Sequence, residues 1–565
     1  MTQLVLISGH LCSGKSGLAK ALNIEFGYEI IKTSDLLSSR SSPKIVIPER
    51  LSLQKLGDDI DLASESKWIL EAINQKIASN PSQKNYVIDH IRTSEQLKHF
   101  RNSFDFTTIH VHLYAKEDEL IRRYATRKSI RPEESKTGYH KADSIKTTED
   151  IDFFATDADV RINTARTDVD DTLVRVAARL GLYSPPDVRC VDVVIGGQYG
   201  SEGKGHISAY LAKDYDLLLR VGGPNAGHTV SSSSGVFTYH QLPSGAKDTK
   251  AKLLLGPGMT INVNDLLQEI KNCNVTAERL FIDPQAMIIS EEDLAAEQGL
   301  VKDIASTGRG SGNAAARRIT GRGDSKTKLA KDIPELEPYV GKEPYYRGST
   351  TKLLEKSYRD GNSILVEGTQ GSGLSIYHGN YPYVTSRDTN IAGCLAEAGI
   401  SPSRVRRIIM VIRPTPIRVG NPDNSEKTSG PMKHETDFRT VAESAGLDPE
   451  EVMQNEKTST TRRNRRVGWF DWQQFRSACA LNAPTDIALT FADYICEKNS
   501  KARRFEQLSL DTIKFIEEIE RVAHAPVSLV NTRFPRQGTL DIRTVIDRRN
   551  WISRLSEESK KDDTQ

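Results

Sequence analysis

Several features that would assign this sequence to a special class of protein are missing from it. None of its six cysteines forms a CxxC pair, so we expect neither a thiolate metal site nor a disulfide framework. No apolar run approaches the roughly 20 residues of a membrane span. The opening residues MTQLVLISGH lack the basic start and cleavage site of a signal peptide. With a net charge of +2, nothing global indicates nucleic-acid or membrane binding, and reduced cytoplasmic thiols are expected.

What the sequence does contain is a recurring pattern of apolar strand, glycine-rich turn and helix. The pattern occurs at Leu4–Lys20 and again at Val191–Leu211. Strand-like and helix-like segments alternate after the first occurrence, which is typical of parallel sheets. The 565 residues allow two to four domains. We predict an α/β protein of two P-loop-type three-layer α/β/α domains, each with a mostly parallel sheet.

The boundary between these domains is predicted from a helix stop. A helix at Asp170–Leu180 would end at Gly181, and Ser184-Pro185-Pro186-Asp187 follows it. The predicted division is therefore 1–184, a linker at 185–189, a second domain at 190–555 and a charged tail at 556–565. The polar stretch Lys128–Lys146 is predicted to be a loop.

The first glycine-rich turn, Gly9 to Ser16, matches the pattern GxxxxGK[ST] between a strand and a helix. Gly9 and Gly14 would let backbone N–H groups surround phosphate oxygens. Lys15 would meet the β- and γ-phosphates, and Ser16 would hold Mg²⁺. The alternative is a degenerate loop that binds nothing.

Residues 1–180 also resemble the nucleoside-monophosphate kinases. Asp35 follows the second strand, and Arg92 follows the third, where such kinases bind their acceptor. Arg123 and Arg127 lie on a helix that leads into the polar loop, as lid arginines do. A solvated helix face would explain those arginines equally well.

The second glycine-rich turn, Gly196 to Gly205, lacks the Walker spacing but suits phosphate binding at a helix start. The segment Arg220 to Thr229 follows and contains His228, which could transfer a proton near neutral pH. A structural histidine would be the simpler interpretation of that residue alone.

These two segments resemble the phosphate loop and the following loop of adenylosuccinate synthetase, and further motifs of that family come in order. They are Gln241–Gly245, Ser306–Gly310, Val366–Gly371, His378–Ser386, Arg418–Gly420 and Thr460–Trp469. The resemblance covers roughly 190–550 and is close in spacing to the shorter archaeal and viral members. It implies a homodimeric ligase that transfers the γ-phosphate of a nucleoside triphosphate to purine O6. The amine of L-aspartate then displaces phosphate from C6.

The resemblance also implies residue roles. His228, Lys204, Ser201 and Gln370 occupy catalytic positions, and the Gly227 carbonyl and Ser201 occupy Mg²⁺ positions. The purine nucleotide positions are Asn225, Thr307, Gln370, Thr385 and Arg317, the last of these reaching the 5′-phosphate from the partner subunit. The aspartate positions are Thr460, Thr461, Arg463 and Arg466, where a forked guanidinium suits a dicarboxylate. The triphosphate positions are Gly200, Glu202, Gly203, Lys204, Gly205, Asp493 and Thr532.

Ser201 departs from the family pattern, which has aspartate as the general base toward the purine N1 proton. A serine hydroxyl does not ionise near neutral pH, and loss of a general base typically costs on the order of 10²–10⁴ in rate. The enzyme is therefore slow, or a catalytically impaired nucleotide sensor, or built for another acceptor. Serine leaves room for the C2 amino group of guanine, and the substitution resembles that of phage 2-aminoadenylosuccinate synthetases, which use dGMP. The sequence favours GMP or dGMP, with synthesis from IMP and GTP as the alternative.

Further departures concern the donor and the sugar. Asn464 replaces an arginine near the ribose, which fits a deoxynucleotide. Phe491 replaces a lysine in the guanine-reading motif that Asp493 belongs to, and Asn531-Thr532-Arg533 replaces a Thr-Gly pair. GTP and ATP both stay open as donors.

Overall fold

The computed structural model describes residues 2–40, 50–103, 105–130, 138–140, 151–232, 235–340, 349–422, 426–457, 464–533 and 544–550. The chain divides into two compact units, Met1–Tyr183 and Ser184–Gln565. Arg404 donates hydrogen bonds to the carbonyls of Ser184 and Pro185, so the start of the proline-rich segment is held by the second unit.

The first unit is built on a five-stranded sheet. Its strands are β1 (Thr2–Ser8), β2 (Glu29–Ile31), β3 (Asn85–Ile88), β4 (Phe106–Tyr114) and β5 (Val160–Asn163). Its helices are α1 (Lys15–Phe26), α2 (Thr33–Arg40), α3 (Arg50–Ala63), α4 (Trp68–Ser79), α5 (Ser94–Arg101), α6 (Glu117–Ile130), α7 (Ile151–Asp157) and α8 (Val169–Arg179). The strand order is β2-β3-β1-β4-β5, and every pairing is parallel. Parallel pairing follows from connections long enough to cross the sheet.

The central strand β1 explains why this sheet is covered on both faces. Val5 and Ile7 belong to one apolar cluster, and Leu4 and Leu6 belong to the other. Successive strand residues point to opposite faces, so an unbroken apolar strand must have a core on each side.

The second unit has a nine-stranded sheet and smaller accessory sheets. Its strands are β6 (Val191–Gly196), β7 (Leu217–Arg220), β8 (His228–Ser232), β9 (Gly235–Tyr239), β10 (Lys252–Leu255), β11 (Thr260–Ile261), β12 (Leu280–Ile282), β13 (Met287–Ile288), β14 (Ile364–Glu367), β15 (Val405–Ile412), β16 (Ile417–Val419), β17 (Glu435–Thr436), β18 (Arg465–Gly468), β19 (Asp486–Leu489), β20 (Val527–Asn531) and β21 (Val545–Asp547). Its helices are α9 (Lys204–Leu211), α10 (Val263–Asn272), α11 (Glu291–Ala296), α12 (Gln298–Ile304), α13 (Ser311–Thr320), α14 (Thr350–Arg359), α15 (Ile391–Ala398), α16 (Phe438–Ala445), α17 (Pro449–Asn455), α18 (Trp472–Asn482) and α19 (Leu510–Ala523).

The large sheet has the order β12-β10-β7-β14-β6-β15-β19-β20-β21, and only the pair β20–β21 is antiparallel. β6 lies near its centre, with Val193 and Ile195 in one apolar cluster and Val194 in the other. β8 and β9 form a hairpin, and β16, β18 and β17 form a small antiparallel sheet.

The predicted α/β class with mostly parallel sheets is confirmed. Helix α6, which carries the predicted lid arginines, extends to Ile130, into the stretch predicted as a loop. Most of the rest of that stretch, like the tail at 556–565, lies outside the described residues. Within the described part of the chain, no helix is both long and apolar enough to cross a membrane.

Candidate active site

A cleft of about 690 Å³ opens in the second unit. The loops that follow β6, β7 and β14 all contribute to it, with Gly200, Asn225 and Gln370 among the lining residues. These strands are neighbours and parallel, so their carboxyl ends share one edge of the sheet. Ligands of α/β proteins bind at that edge.

The phosphate loop of the cleft is organised by Glu202, whose carboxylate is buried. One carboxylate oxygen accepts hydrogen bonds from the backbone N–H groups of Gln198 (3.1 Å) and Gly200 (2.8 Å). The other oxygen pairs with Lys204 Nζ at 2.5 Å. Gly203 has a φ of 87°, which turns the chain into α9 with Lys204 as the first helical residue. The loop therefore presents a lysine and a helix start to the cleft, as phosphate binding requires.

Ser201 is exposed and lines this cleft. Its backbone is left-handed, with a φ of 56°. Aspartate and asparagine are among the non-glycine residues that adopt this conformation most readily. The backbone at this position therefore accepts either serine or the aspartate of the family pattern.

His228, the first residue of β8, is held by the buried carboxylate of Glu367 at the end of β14. Its Nδ1 lies 2.6 Å from Glu367 Oε1, and that carboxylate also accepts hydrogen bonds from Ser244 Oγ (2.5 Å) and Ser244 N (2.7 Å). A Cβ at Gly205 would come within 2.6 Å of His228 Cβ, so glycine is needed there. Because Glu367 occupies Nδ1, the ring nitrogen left for a ligand is Nε2.

Burial controls the charge of this pair. The pKa of His228 is lowered to about 4, chiefly by burial and next by the nearby charge of Arg220, against the opposing effect of Glu367. Burial alone would raise the pKa of Glu367, but the contacts from His228, Arg220 and Ser244 outweigh burial and lower it. The carboxylate is therefore ionised near neutral pH, and a negative charge that develops on a ligand would raise the pKa of the imidazole.

Four of the five predicted purine positions line the cleft. Asn225, Thr307, Gln370 and Thr385 all line it. Gln370 Nε2 donates to Thr385 Oγ1 at 3.2 Å, and Thr369 Oγ1 donates to Gln370 Oε1 at 3.1 Å. Asn225 Oδ1 is buried and has no hydrogen-bond partner among the described residues. These residues therefore offer amide and hydroxyl groups to a ligand.

Two predicted triphosphate positions, Asp493 and Thr532, differ in whether they line the cleft. Asp493 lines the cleft beside Phe491 and Arg533. Thr532 does not line it; this residue is fully buried and donates to the Thr544 carbonyl at 3.1 Å.

Two of the predicted arginines, Arg317 and Arg466, do not line the cleft. Arg317 pairs with Asp293 at 2.5 Å, so its contact with a partner subunit stays a prediction. Arg466 pairs with Glu435 at 2.5 Å. Arg465 lines the cleft instead, because adjacent residues of β18 point to opposite sides.

Sequence reasoning assigned no role to Arg465 or to Arg418. Arg418 also lines the cleft, 4.1 Å from the Tyr199 ring, and donates to the Ser429 carbonyl at 2.6 Å. Its Nε and Nη2 atoms are buried, and in the part of the chain that the structure describes they have no hydrogen-bond partner. In the sequence, Arg418 stands between the apolar residues Ile417 and Val419 of β16, and this pattern could have indicated a functional arginine. Thr460, Thr461 and Arg463 lie outside the described residues.

No group of three or more histidine, cysteine, aspartate or glutamate side chains suited to a metal occurs among the described residues. The Mg²⁺ positions Gly227 and Ser201 both line the cleft and offer a carbonyl and a hydroxyl oxygen. Mg²⁺ commonly binds few protein ligands together with water and substrate phosphates, so this donor set fits such an ion.

The first unit has its own phosphate loop between β1 and α1. Lys15 Nζ donates to the carbonyls of Gly9 (2.8 Å) and His10 (2.7 Å), which places it inside the loop. A Cβ on Gly9 would lie 2.0 Å from the Leu113 carbonyl oxygen, so only glycine fits. Ser16 is exposed in the first turn of α1, close to Gly14 at the helix cap.

The predicted acceptor and lid residues of this unit differ in what they contact. Arg123 reaches it, donating to the carbonyls of Thr164 (2.6 Å) and Cys12 (3.4 Å). Arg92 forms an ion pair with Asp58. Asp35 is exposed in the first turn of α2, and Arg127 is half-buried on α6.

Comparison with known proteins identifies both units. The family model described as adenylosuccinate synthetase matches residues 193–344 and 324–498, and one described as an AAA domain matches residues 9–139. The adenylosuccinate synthetase of Methanocaldococcus jannaschii is 36% identical over 360 residues, which are 62% of this chain and 96% of that protein. That of Thermococcus onnurineus is 37% identical over 370 residues, 64% of this chain and 99% of that protein.

Solved structures give the same result for the second unit. Cyanophage S-2L succinoaminodeoxyadenylate synthetase, bound to dGMP and to dATP as an energy donor, is 28% identical with a TM-score of 0.52, covering 64% of this chain and 95% of that one. The fully ligated Plasmodium falciparum adenylosuccinate synthetase shares the fold at 22% identity and a TM-score of 0.51, covering 64% of this chain and 99% of that one. The chain therefore belongs to the adenylosuccinate synthetase family of ligases and carries a P-loop kinase-like unit ahead of the ligase unit.

Proposed function

We propose that the ligase unit joins L-aspartate to C6 of a purine nucleoside monophosphate that carries a 2-amino group, GMP or dGMP. The observation that carries this proposal is Ser201, a small neutral side chain at the cleft where the family has a carboxylate. The solved cyanophage relative, whose ligand is dGMP, supports it.

The chemistry starts at purine O6. The O6 atom attacks the γ-phosphorus of the donor, the bond to the leaving diphosphate breaks, the N1 proton of the purine is released to water, and the purine gains a 6-phosphoryl group. His228 Nε2 faces the charge that develops on O6, while Glu367 fixes the ring through Nδ1. Lys204 would bind the γ-phosphate at the helix start of α9. The aspartate amine then attacks C6, and inorganic phosphate leaves.

Ser201 determines the acceptor in this proposal. A carboxylate at the same place would face N1, beside C2, and would crowd a 2-amino group. The serine side chain is shorter, and its hydroxyl oxygen can accept a hydrogen bond from that amine. A site built to bind an amino group discriminates against a base that lacks it.

The donor is a purine nucleoside triphosphate with Mg²⁺. In the family a lysine reads the guanine of the donor. Phe491 stands at that position and has no amine, so we expect the enzyme to use ATP in addition to GTP. Gly227 and Ser201 would hold the ion, which when bound neutralises charge on the transferring phosphoryl group. The ligase is further proposed to be a homodimer in which Arg317 reaches the partner's nucleotide.

The test is a product assay of the wild-type chain with IMP, dIMP, GMP and dGMP, each with ATP and with GTP. The proposal expects a higher kcat/KM for GMP or dGMP, with the aspartate adduct identified by mass. A preference for IMP with GTP would instead support ordinary adenylosuccinate synthesis. Nucleotide binding without any product would favour a sensor, against which the intact contact between His228 and Glu367 argues.

The kinase-like unit is proposed to phosphorylate a nucleotide of the same pathway, independently of ligation. We expect Lys15→Ala to weaken triphosphate binding at the first phosphate loop roughly tenfold, since a charged hydrogen-bond donor is lost. The ligation rate should stay within about twofold of wild type if the units act independently. Binding is measured on the variant of the full chain by titration, and ligation by product formation.

The matched control for this prediction is Lys20→Ala, on the same helix, because Lys20 is exposed outside the loop. We expect it to change neither quantity. Loss of ligation in Lys15→Ala alone would show that the units are coupled and would contradict their independence.

A further inference from the structure

Arg413 connects three parts of the ligase cleft without lining the cleft itself. It directly follows β15 and is fully buried. Its backbone N–H donates to Gln198 Oε1 at 3.1 Å, and its carbonyl accepts from Gln198 Nε2 at 2.9 Å. Gln198 belongs to the phosphate loop, so this loop is fixed to the sheet at Arg413.

The side chain of Arg413 reaches the donor side. Its guanidinium lies 4.1 Å from the centre of the Phe491 ring and 5.3 Å from that of Tyr494. Both rings line the cleft, next to Asp493. A guanidinium over aromatic faces is attracted by them, more strongly where water is excluded.

The same guanidinium also reaches the amino-acid side through Glu456. Arg413 Nη2 donates to Glu456 Oε1 at 2.6 Å, and Arg465 Nη1 donates to Glu456 Oε2 at 2.9 Å. Glu456 and Arg465 both line the cleft. Lys457, which follows Glu456, and Asn464, which precedes Arg465, form an antiparallel bridge. In the chain, Glu456 and Arg465 therefore stand on either side of residues 458–463, which include the predicted aspartate positions and lie outside the described residues.

Ion pairs with Glu456 hold the side chains of Arg413 and Arg465 in place. Burial would raise the pKa of Glu456, but Arg413 and Arg465 outweigh burial and lower it to about 2, so the carboxylate is ionised. A buried carboxylate that loses one of two cationic partners is left with uncompensated charge. The positions of Arg413 and Arg465 are thus linked through one rigid acceptor.

We propose that Arg413 is a positioning residue that couples triphosphate binding to aspartate binding. Triphosphate contacts with the phosphate loop and Phe491 would fix Arg413, and Arg413 through Glu456 would fix Arg465 for the amino acid. The inference rests on the proposed ligation, which assigns these two sides of the cleft. By linkage, the amino acid must strengthen triphosphate binding by the same factor.

The test measures the Kd of aspartate with and without the triphosphate, and the Kd of the triphosphate with and without aspartate, both in the absence of the purine monophosphate so that no turnover occurs, together with the KM of aspartate in the full reaction. In the wild type we expect each ligand to improve the other's affinity about fivefold or more. Arg413→Met should bring that factor close to one and raise the KM of aspartate roughly tenfold, because Glu456 loses one of its two arginine partners. The Kd of the purine monophosphate should stay within about twofold.

Two further variants separate positioning from general stability. Arg413→Lys keeps a positive charge beside Glu456 but loses the planar group over Phe491, so it should restore the KM of aspartate more than it restores the coupling. Arg406→Met removes an arginine at the other end of β15, where it pairs with Asp192 at 2.8 Å, and should change neither.

The outcomes are distinguishable. A wild type that forms no aspartate adduct contradicts the proposed function, and the inference falls with it. A wild type that forms product, with full coupling retained in folded Arg413→Met, overturns the inference alone. Equal weakening of all three substrates in Arg413→Met and Arg413→Lys would also overturn it, since that result describes a loosened cleft.

Discussion

Substitution of His228 by alanine is expected to lower kcat for ligation by about 10²–10³, while the nucleotides still bind. The loss should be this large because, in the proposed mechanism, Nε2 meets the charge developing on O6, and His228 is the only histidine among the described residues that line the cleft. Glu367 fixes the ring at 2.6 Å, so the donor is oriented before the reaction begins. The measurement is a single-turnover rate with saturating substrates, beside nucleotide Kd values.

A graded variant and a control sharpen this prediction. Glu367→Gln keeps an acceptor for Nδ1 but removes the charge that stabilises a protonated ring, so its loss should be smaller than that of His228→Ala. His524→Asn changes an exposed histidine that caps α19 in the left-handed conformation, which asparagine tolerates. We expect it to be as active as wild type. Full activity in His228→Ala would remove this residue from the mechanism.

Ser201→Asp is expected to reverse the choice of acceptor. The new carboxylate would crowd the C2 amine of guanine but could accept the N1 proton of hypoxanthine. Activity on GMP or dGMP should fall and activity on IMP or dIMP should rise, with each change about 10–200-fold, the range for one small substituent in a pocket. The measurement is kcat/KM for the four acceptors in both proteins, with ATP and with GTP.

Ser201→Asn is the matched control for this exchange. Asparagine has the size of aspartate and also tolerates the φ of 56° at this position. Its amide cannot act as a base, so it should reduce the use of GMP without raising the use of IMP. A wild type that prefers IMP, with no exchange in Ser201→Asp, would refute the 2-amino proposal.

Local motifs made much of this protein predictable from sequence. The turn before α1 and the turn before α9 both need glycine in a left-handed conformation, at Gly14 and at Gly203. Such a requirement is local and can therefore be read from the order of residues. The apolar strand before the second turn likewise predicted an α/β unit, and every residue of β6 is buried because both faces of the sheet are covered.

The surroundings of His228 could not be read in this way. Glu367 lies 139 residues further along the chain, and the two meet because β14 is placed between β6 and β7 in the sheet. Strand order depends on which long connections pack together, and no local pattern records that choice. The motif around Glu367 indicated a family position but not its contact with the histidine.

The arginines of the ligase unit show the same difference between what local motifs predict and what folding decides. By itself the sequence determined the two α/β units, the glycine-rich phosphate loops and the family, because turn geometry and apolar patterning act over short stretches. Only the tertiary structure decided that Arg465 rather than Arg466 lines the cleft and that Arg413 reaches Glu456. A one-residue shift along a strand exchanges its two faces, and an ion pair forms only where folding brings its partners together.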